Sequence, residues 1–118
     1  MPYPELMRLK EKGDLTRQGE PLAFLQIAVR ENRLILQGRT PLEDNGETYT
    51  AMGMEYRYVL EAEQAEQFLS TLQKDFGDNP ECAIFMHFEF FNPTRRLADY
   101  LDAIGVVYEY NCIEGEHI

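Results

Sequence analysis

The sequence predicts an α+β domain, with a mainly antiparallel sheet of about four strands and two to three helices packed on one face. Three observations predict it. Residues 25–30 and 34–37 alternate apolar and polar side chains on either side of a short polar break, the signature of a half-buried hairpin. Residues 49–60 continue the two-residue period. Residues 61–77 and 92–105 then switch to helical spacing, and a β-branched and aromatic run closes the chain.

The first twenty residues leave two readings open. Leu6, Met7 and Leu9 fit either a short helix after Pro4 or an edge strand, and Gly13-Asp14 marks a turn. Leu25, Ile27 and Val29 then alternate with Gln26, Ala28 and Arg30. The break Glu31-Asn32-Arg33 suits a tight turn, because Asn tolerates the left-handed conformation, and residues 34–37 form the returning strand. Asp44-Asn45-Gly46 supplies turn chemistry to a loop over residues 41–47. In the third strand Met52, Met54, Tyr56, Tyr58 and Leu60 share one face, and Gly53, Glu55, Arg57 and Val59 the other.

A helix follows on Ala65, Phe68, Leu69, Leu72 and Phe76. Glu61, Glu63 and Glu66 crowd its positive end, and Gly77 is its stop. Residues 82–91 are apolar enough for either a buried helix or a strand, and Asn79-Pro80, a cap followed by proline at the first helical position, favours the helix. Asn92-Pro93 opens a last helix with a stripe of Leu97, Tyr100, Leu101 and Ile104, ended by Gly105. Residues 106–110 are expected to be the final strand, and residues 113–118 a flexible tail.

The chain of 118 residues fits a single domain. Apolar residues make up 44% and aromatics 12%, too many for intrinsic disorder. No apolar run is long enough to span a membrane, and the N-terminal residues have no basic-then-apolar signal, so a cytoplasmic location is expected. Cys82 and Cys112 show no metal-ligand spacing and are expected to be two buried, free thiols. The net charge is −10, which excludes phosphate-backbone binding as a main activity. That charge is divided unevenly: residues 1–39 carry a net of +2 and residues 40–118 a net of −12. With no linker between them, the two parts are expected to form two faces or edges of one domain.

Catalytic and cofactor motifs are missing. There is no H-E-x-x-H, no Walker loop and no G-x-G-x-x-G. His87-Phe88-Glu89 matches the H-x-E of zinc deaminases, but the downstream P-C-x-x-C pair that would hold the metal is absent, so His87 is read as a core-edge histidine. Ser70, the only serine, sits on a helix without a nucleophile elbow. Asp99 and Asp102 lie three residues apart on a solvated helix face, where acid pairs arise by chance in so acidic a chain. The loop Glu43-Asp44-Asn45-Gly46-Glu47 lacks calcium-loop spacing, and the tail Glu114-Gly115-Glu116-His117-Ile118 is a polar terminus. These patterns indicate no catalytic residue, no metal and no cofactor. The candidate binding surface is the acidic set Glu43, Asp44, Glu47, Glu55, Glu61, Glu63 and Glu66, whose other use is solubility.

The strand Tyr56-Arg57-Tyr58-Val59-Leu60, a helix closing on Phe68-Leu69 and Leu72, and then Leu97, Tyr100-Leu101, Gly105 and Tyr108-Glu109-Tyr110 follow a recurring order. Over residues 22–112 this order of elements resembles small uncharacterised and immunity-type α+β proteins found near bacterial toxin genes. The loop at 41–47 and the Phe-rich segment at 82–91 depart from that pattern. The resemblance implies a binding protein without cofactor, and it assigns no catalytic residues.

The expected function is therefore a non-enzymatic, acidic protein-binding domain, of inhibitor or immunity type, engaging a basic protein partner. A net of −12 over residues 40–118 would steer a cationic partner and raise its association rate. Two alternatives stand beside it: a small-ligand, metal-binding or enzymatic domain with a site scattered along the chain, and a structural or oligomeric subunit. Homo-oligomerisation is left open, and neither nucleic acid nor membrane is an expected partner.

Overall fold

The computed structural model describes residues 3–18, 24–39, 55–77, 79–87 and 93–113. They form an α+β fold, a five-stranded antiparallel sheet in the order β1-β2-β3-β4-β5 with four helices packed against it. The strands are β1 (Leu15–Gln18), β2 (Phe24–Arg30), β3 (Arg33–Arg39), β4 (Glu55–Leu60) and β5 (Glu109–Ile113). The helices are α1 (Pro4–Lys12), α2 (Ala62–Phe76), α3 (Pro80–His87) and α4 (Pro93–Ala103). The sheet has one strand more than the sequence suggests, because residues 15–18 pair with β2 as an edge. The ambiguous residues before them settle as helix α1, which makes a fourth helix and buries Leu6 and Leu9.

Residues 31 and 32 take positive φ angles of 53° and 60°, so β2 and β3 are joined by a two-residue turn closed by the pair Arg30 and Arg33. This turn twists with the strands it joins and holds the register along the hairpin. One row across the sheet is then Leu15, Ile27, Leu36, Tyr58 and Tyr110, and the next inward row contains Leu25, Gly38 and Tyr56. These rows face the helices. Leu34, Leu36, Tyr58, Leu60, Phe68, Leu69, Leu72, Ile84 and Leu101 are fully buried in one core cluster. Burying each such side chain contributes about 1.5–3 kcal/mol, which explains why the alternation sets the sheet's inner face.

Gly38 is required by close approach. Its direct partner on β4 is Tyr56, and a Cβ at residue 38 would lie 2.5 Å from the Tyr56 hydroxyl oxygen and 2.9 Å from the Phe24 carbonyl oxygen. The phenol ring fills the space that a side chain would take.

Helix α3 starts as its sequence indicates. The Asn79 side-chain oxygen accepts the Cys82 N–H at 3.1 Å, and Pro80 opens the helix. The helix is described to His87, and residues 88–91 lie outside the described residues. Helix α4 buries Leu97 and Leu101, with Tyr100 and Ile104 half-buried at its margin.

The last strand begins at Glu109, three residues later than the apolar run suggests. The Val106 N–H donates instead to the Leu101 carbonyl at the end of α4, and the Val107 N–H to Gln64 Oε1 on α2. Those donors are already satisfied by helices, so strand pairing starts only at Glu109 opposite Val59. Ile113, expected in the tail, pairs with Glu55.

Cys82 is exposed on α3, not buried as its apolar surroundings in the sequence suggested. Among the described residues the charge division is bridged in space. Arg33 pairs with Glu61 at 2.9 Å, Arg39 with Glu55 at 2.8 Å, and Lys12 with Glu81, so basic groups of the first third lie against acids of the remainder. Arg8 and Arg30 pair instead with Glu5 and Asp14 of their own third.

Candidate functional site

Four of the seven acids expected from the sequence to form a surface are among the described residues. Glu43, Asp44 and Glu47 lie outside them. Glu55 and Glu61 are engaged by Arg39 and Arg33. Glu66 is half-buried, and its two oxygens accept the backbone N–H groups of Glu5 and Leu6 at 2.9 and 3.0 Å. Glu63 is exposed on the first turn of α2. The Met and Tyr stripe of β4 divides likewise: Tyr56 and Tyr58 are core, and Met52 and Met54 lie outside the described residues.

Elsewhere the structure forms two tyrosine–aspartate hydrogen bonds, one between α4 and α2 and one between the segment before β5 and α4. The Tyr100 hydroxyl donates to Asp75 Oδ2 at 2.8 Å, joining α4 to the end of α2. The Tyr108 hydroxyl donates to Asp102 Oδ1 at 3.1 Å. Tyr58 packs between Tyr108 and Tyr110, with ring centroids 5.5 and 4.9 Å away. Tyr110 is 40% exposed and Val107 71% exposed. A Gln67 side-chain N–H donates to the Ile104 carbonyl at 3.0 Å, so the turn after α4 is held from α2 as well. Gly105, at φ 75°, makes the turn that brings Tyr108 back over α4.

Electrostatics keep these phenols neutral. Burial, and then the Asp75 carboxylate that accepts its hydrogen bond, hold the Tyr100 hydroxyl above its ordinary value. Burial and the carboxylates of Asp102 and Asp99 raise Tyr108 in the same direction. A neutral phenol bonded to a carboxylate fixes that carboxylate in place and leaves its negative charge uncompensated. Asp99 and Asp102 therefore stand on the exposed face that their spacing suggests, and Asp102 is additionally held by Tyr108. The tertiary contact with Tyr108 was not readable from that spacing. The repeated Tyr-Asp content of residues 99–110 was the only signal available.

Other candidates are placed as follows. His87 is exposed and stacks flat on Phe76, with ring centroids 4.1 Å apart, and Phe76 in turn packs against the core; Glu89 lies outside the described residues. The 43–47 loop and the 114–118 tail also lie outside them. Among the described residues no group of three or more His, Cys, Asp or Glu side chains is placed to hold a metal ion. Among them, too, no helix is long and apolar enough to cross a membrane. No protein-family model, curated protein or solved structure matches the chain.

Proposed function

We propose that this chain is an acidic protein-binding domain that engages a basic partner through Asp75, Asp99, Asp102, Tyr100, Tyr108 and Tyr110. One observation carries the reading: two carboxylates are held by tyrosine hydroxyls at 2.8 and 3.1 Å, and Val107 and Tyr110 are exposed in the segment that carries Tyr108. Fixed carboxylates offer a cationic partner acceptors that need no reordering, and tyrosines supply contact area at low entropic cost. The net charge of −10 adds long-range attraction for the same partner. The resemblance to immunity-type proteins favours a basic toxin, such as a nuclease, as that partner.

Affinity capture on the immobilised chain, at low and at high salt, tests the proposal. The expected result is a basic protein retained at low salt and released at high salt. The double variant Asp99→Lys and Asp102→Lys should slow its association at least about tenfold. Capturing no basic protein at either salt, or a partner that binds the double variant equally well, would sink it.

A further inference from the structure

Charged side chains tie residues 3–18 to the rest of the fold at several places. Helix α1 is nine residues long, too short to be stable on its own. Strand β1 is a four-residue edge that pairs on one side only, with β2. Together they bury Leu6 and Leu9 in the core cluster, with Tyr3 and Leu15 packed at its margin. The remaining ties are polar. Glu66 on α2 accepts the Glu5 and Leu6 N–H groups, and Arg30 on β2 holds both Asp14 oxygens, at 2.7 and 2.5 Å.

Two further ties meet on α3. Lys12, the last residue of α1, pairs with Glu81, and Arg17 in β1 donates to the Phe85 carbonyl. Glu81 and Phe85 lie about one turn apart, so α1 and β1 grip the same helix across 69 and 68 positions of sequence. Glu81 is 8% exposed, and it is the buried charged residue among those described. A buried carboxylate deprived of its cation is costly, so the Lys12 pair holds only while α1 is docked.

We propose that residues 3–18 form a strap that opens and closes as one unit, latched on α3 by Lys12 and Arg17. Undocking α1 removes its borrowed cap, its two core leucines and the Glu81 pair together, and β1 follows directly after Gly13 and Asp14. The other core residues, from Leu25 to Val106, lie outside the strap, so the remaining fold keeps its own core. Closed, β1 covers the β2 edge from Phe24 to Ile27. Open, that edge and the Glu81 carboxylate are bared.

Hydrogen exchange of the whole native chain over low urea concentrations tests the proposal. Protected amides of α1 and β1 should exchange through one shared opening, at least about a hundredfold faster than Leu34 and Leu36 of β3. That opening should depend less on urea than the exchange of β3, because it exposes less surface. Lys12→Met leaves Glu81 unpaired in the closed state and should speed strap exchange at least about tenfold. Adding Glu81→Gln should slow it again. Leu101→Val, in the core under α4, weakens the open and closed forms alike. It should speed exchange in β3 and leave the strap unchanged.

Equal exchange of the strap and β3, or separate openings of α1 and β1, would overturn the proposal. So would a strap that Leu101→Val accelerates as much as β3, since it would then open only with the whole fold. Strap exchange indifferent to Lys12→Met, or not slowed again by Glu81→Gln, would rule out the latch on α3.

Discussion

Glu66, in the first half of α2, accepts the backbone N–H of Leu6 at 3.0 Å, although the two residues are 60 positions apart. Helix α1 has no cap of its own, since Tyr3 precedes Pro4 and makes no side-chain cap. The second Glu66 oxygen takes the Glu5 N–H, so one carboxylate from a neighbouring helix satisfies two of the donors that a helix start leaves open. Glu66→Ala should destabilise the fold by about 1–2 kcal/mol in urea unfolding, with the earliest loss of amide protection in α1. Glu66→Gln keeps one acceptor oxygen and should cost about half as much. Equal stability of the alanine variant and the parent would show that solvent serves α1 equally well.

Gly38 and Tyr56 form a second dependent pair. A methyl group at residue 38 meets the Tyr56 ring and the Phe24 carbonyl, and the backbone oxygen cannot swing aside as a flexible side chain would. Gly38→Ala should therefore destabilise by about 1–3 kcal/mol. In a double-mutant cycle with Tyr56→Leu the two effects should be non-additive, because the larger variant residue at 38 enters space the ring has left. Simple additivity would mean that the two side chains do not compete for that space.

Alkaline pH should unfold the chain cooperatively. Burial, chiefly, holds the hydroxyls of Tyr56, Tyr58, Tyr100 and Tyr108 above the ordinary value of 10.0. An unfolded tyrosine releases its proton first, so the folded state binds more protons above pH 10 and loses stability as the pH rises. The stability these groups contribute is thus complete below about pH 10 and is lost as pH climbs toward their folded-state values. Phenolate absorbance should appear together with the loss of far-ultraviolet circular dichroism. Full ionisation near pH 10 in a chain that remains folded would contradict the burial of these rings.

Cys82 should react with thiol reagents in the native state, since it is exposed on α3. Cys82→Ser should change stability by less than about 0.5 kcal/mol. A native chain whose Cys82 resists modification until denatured would contradict its placement.

Local pattern determined much of this protein. The alternation of Leu25, Ile27 and Val29, the turn at Asn32, the Asn79-Pro80 start of α3 and the stripe of α2 all act over a few residues, so each could be read directly. The ends of the chain could not. Residues 4–12 fit helix or strand until Glu66 and the core select helix, and Val106 and Val107 have strand propensity that α4 and α2 override by taking their N–H groups. The candidate surface follows the same division. Counting charges gave the sign of the expected partner, because net charge is a property of composition alone. It could not tell which acids are occupied, since Glu55, Glu61 and Glu66 meet partners 16 to 61 positions away, whereas Asp75 and Asp102 meet tyrosines and retain their charge. Only long-range contact decides whether a carboxylate is neutralised, hydrogen-bonded or left to face a partner.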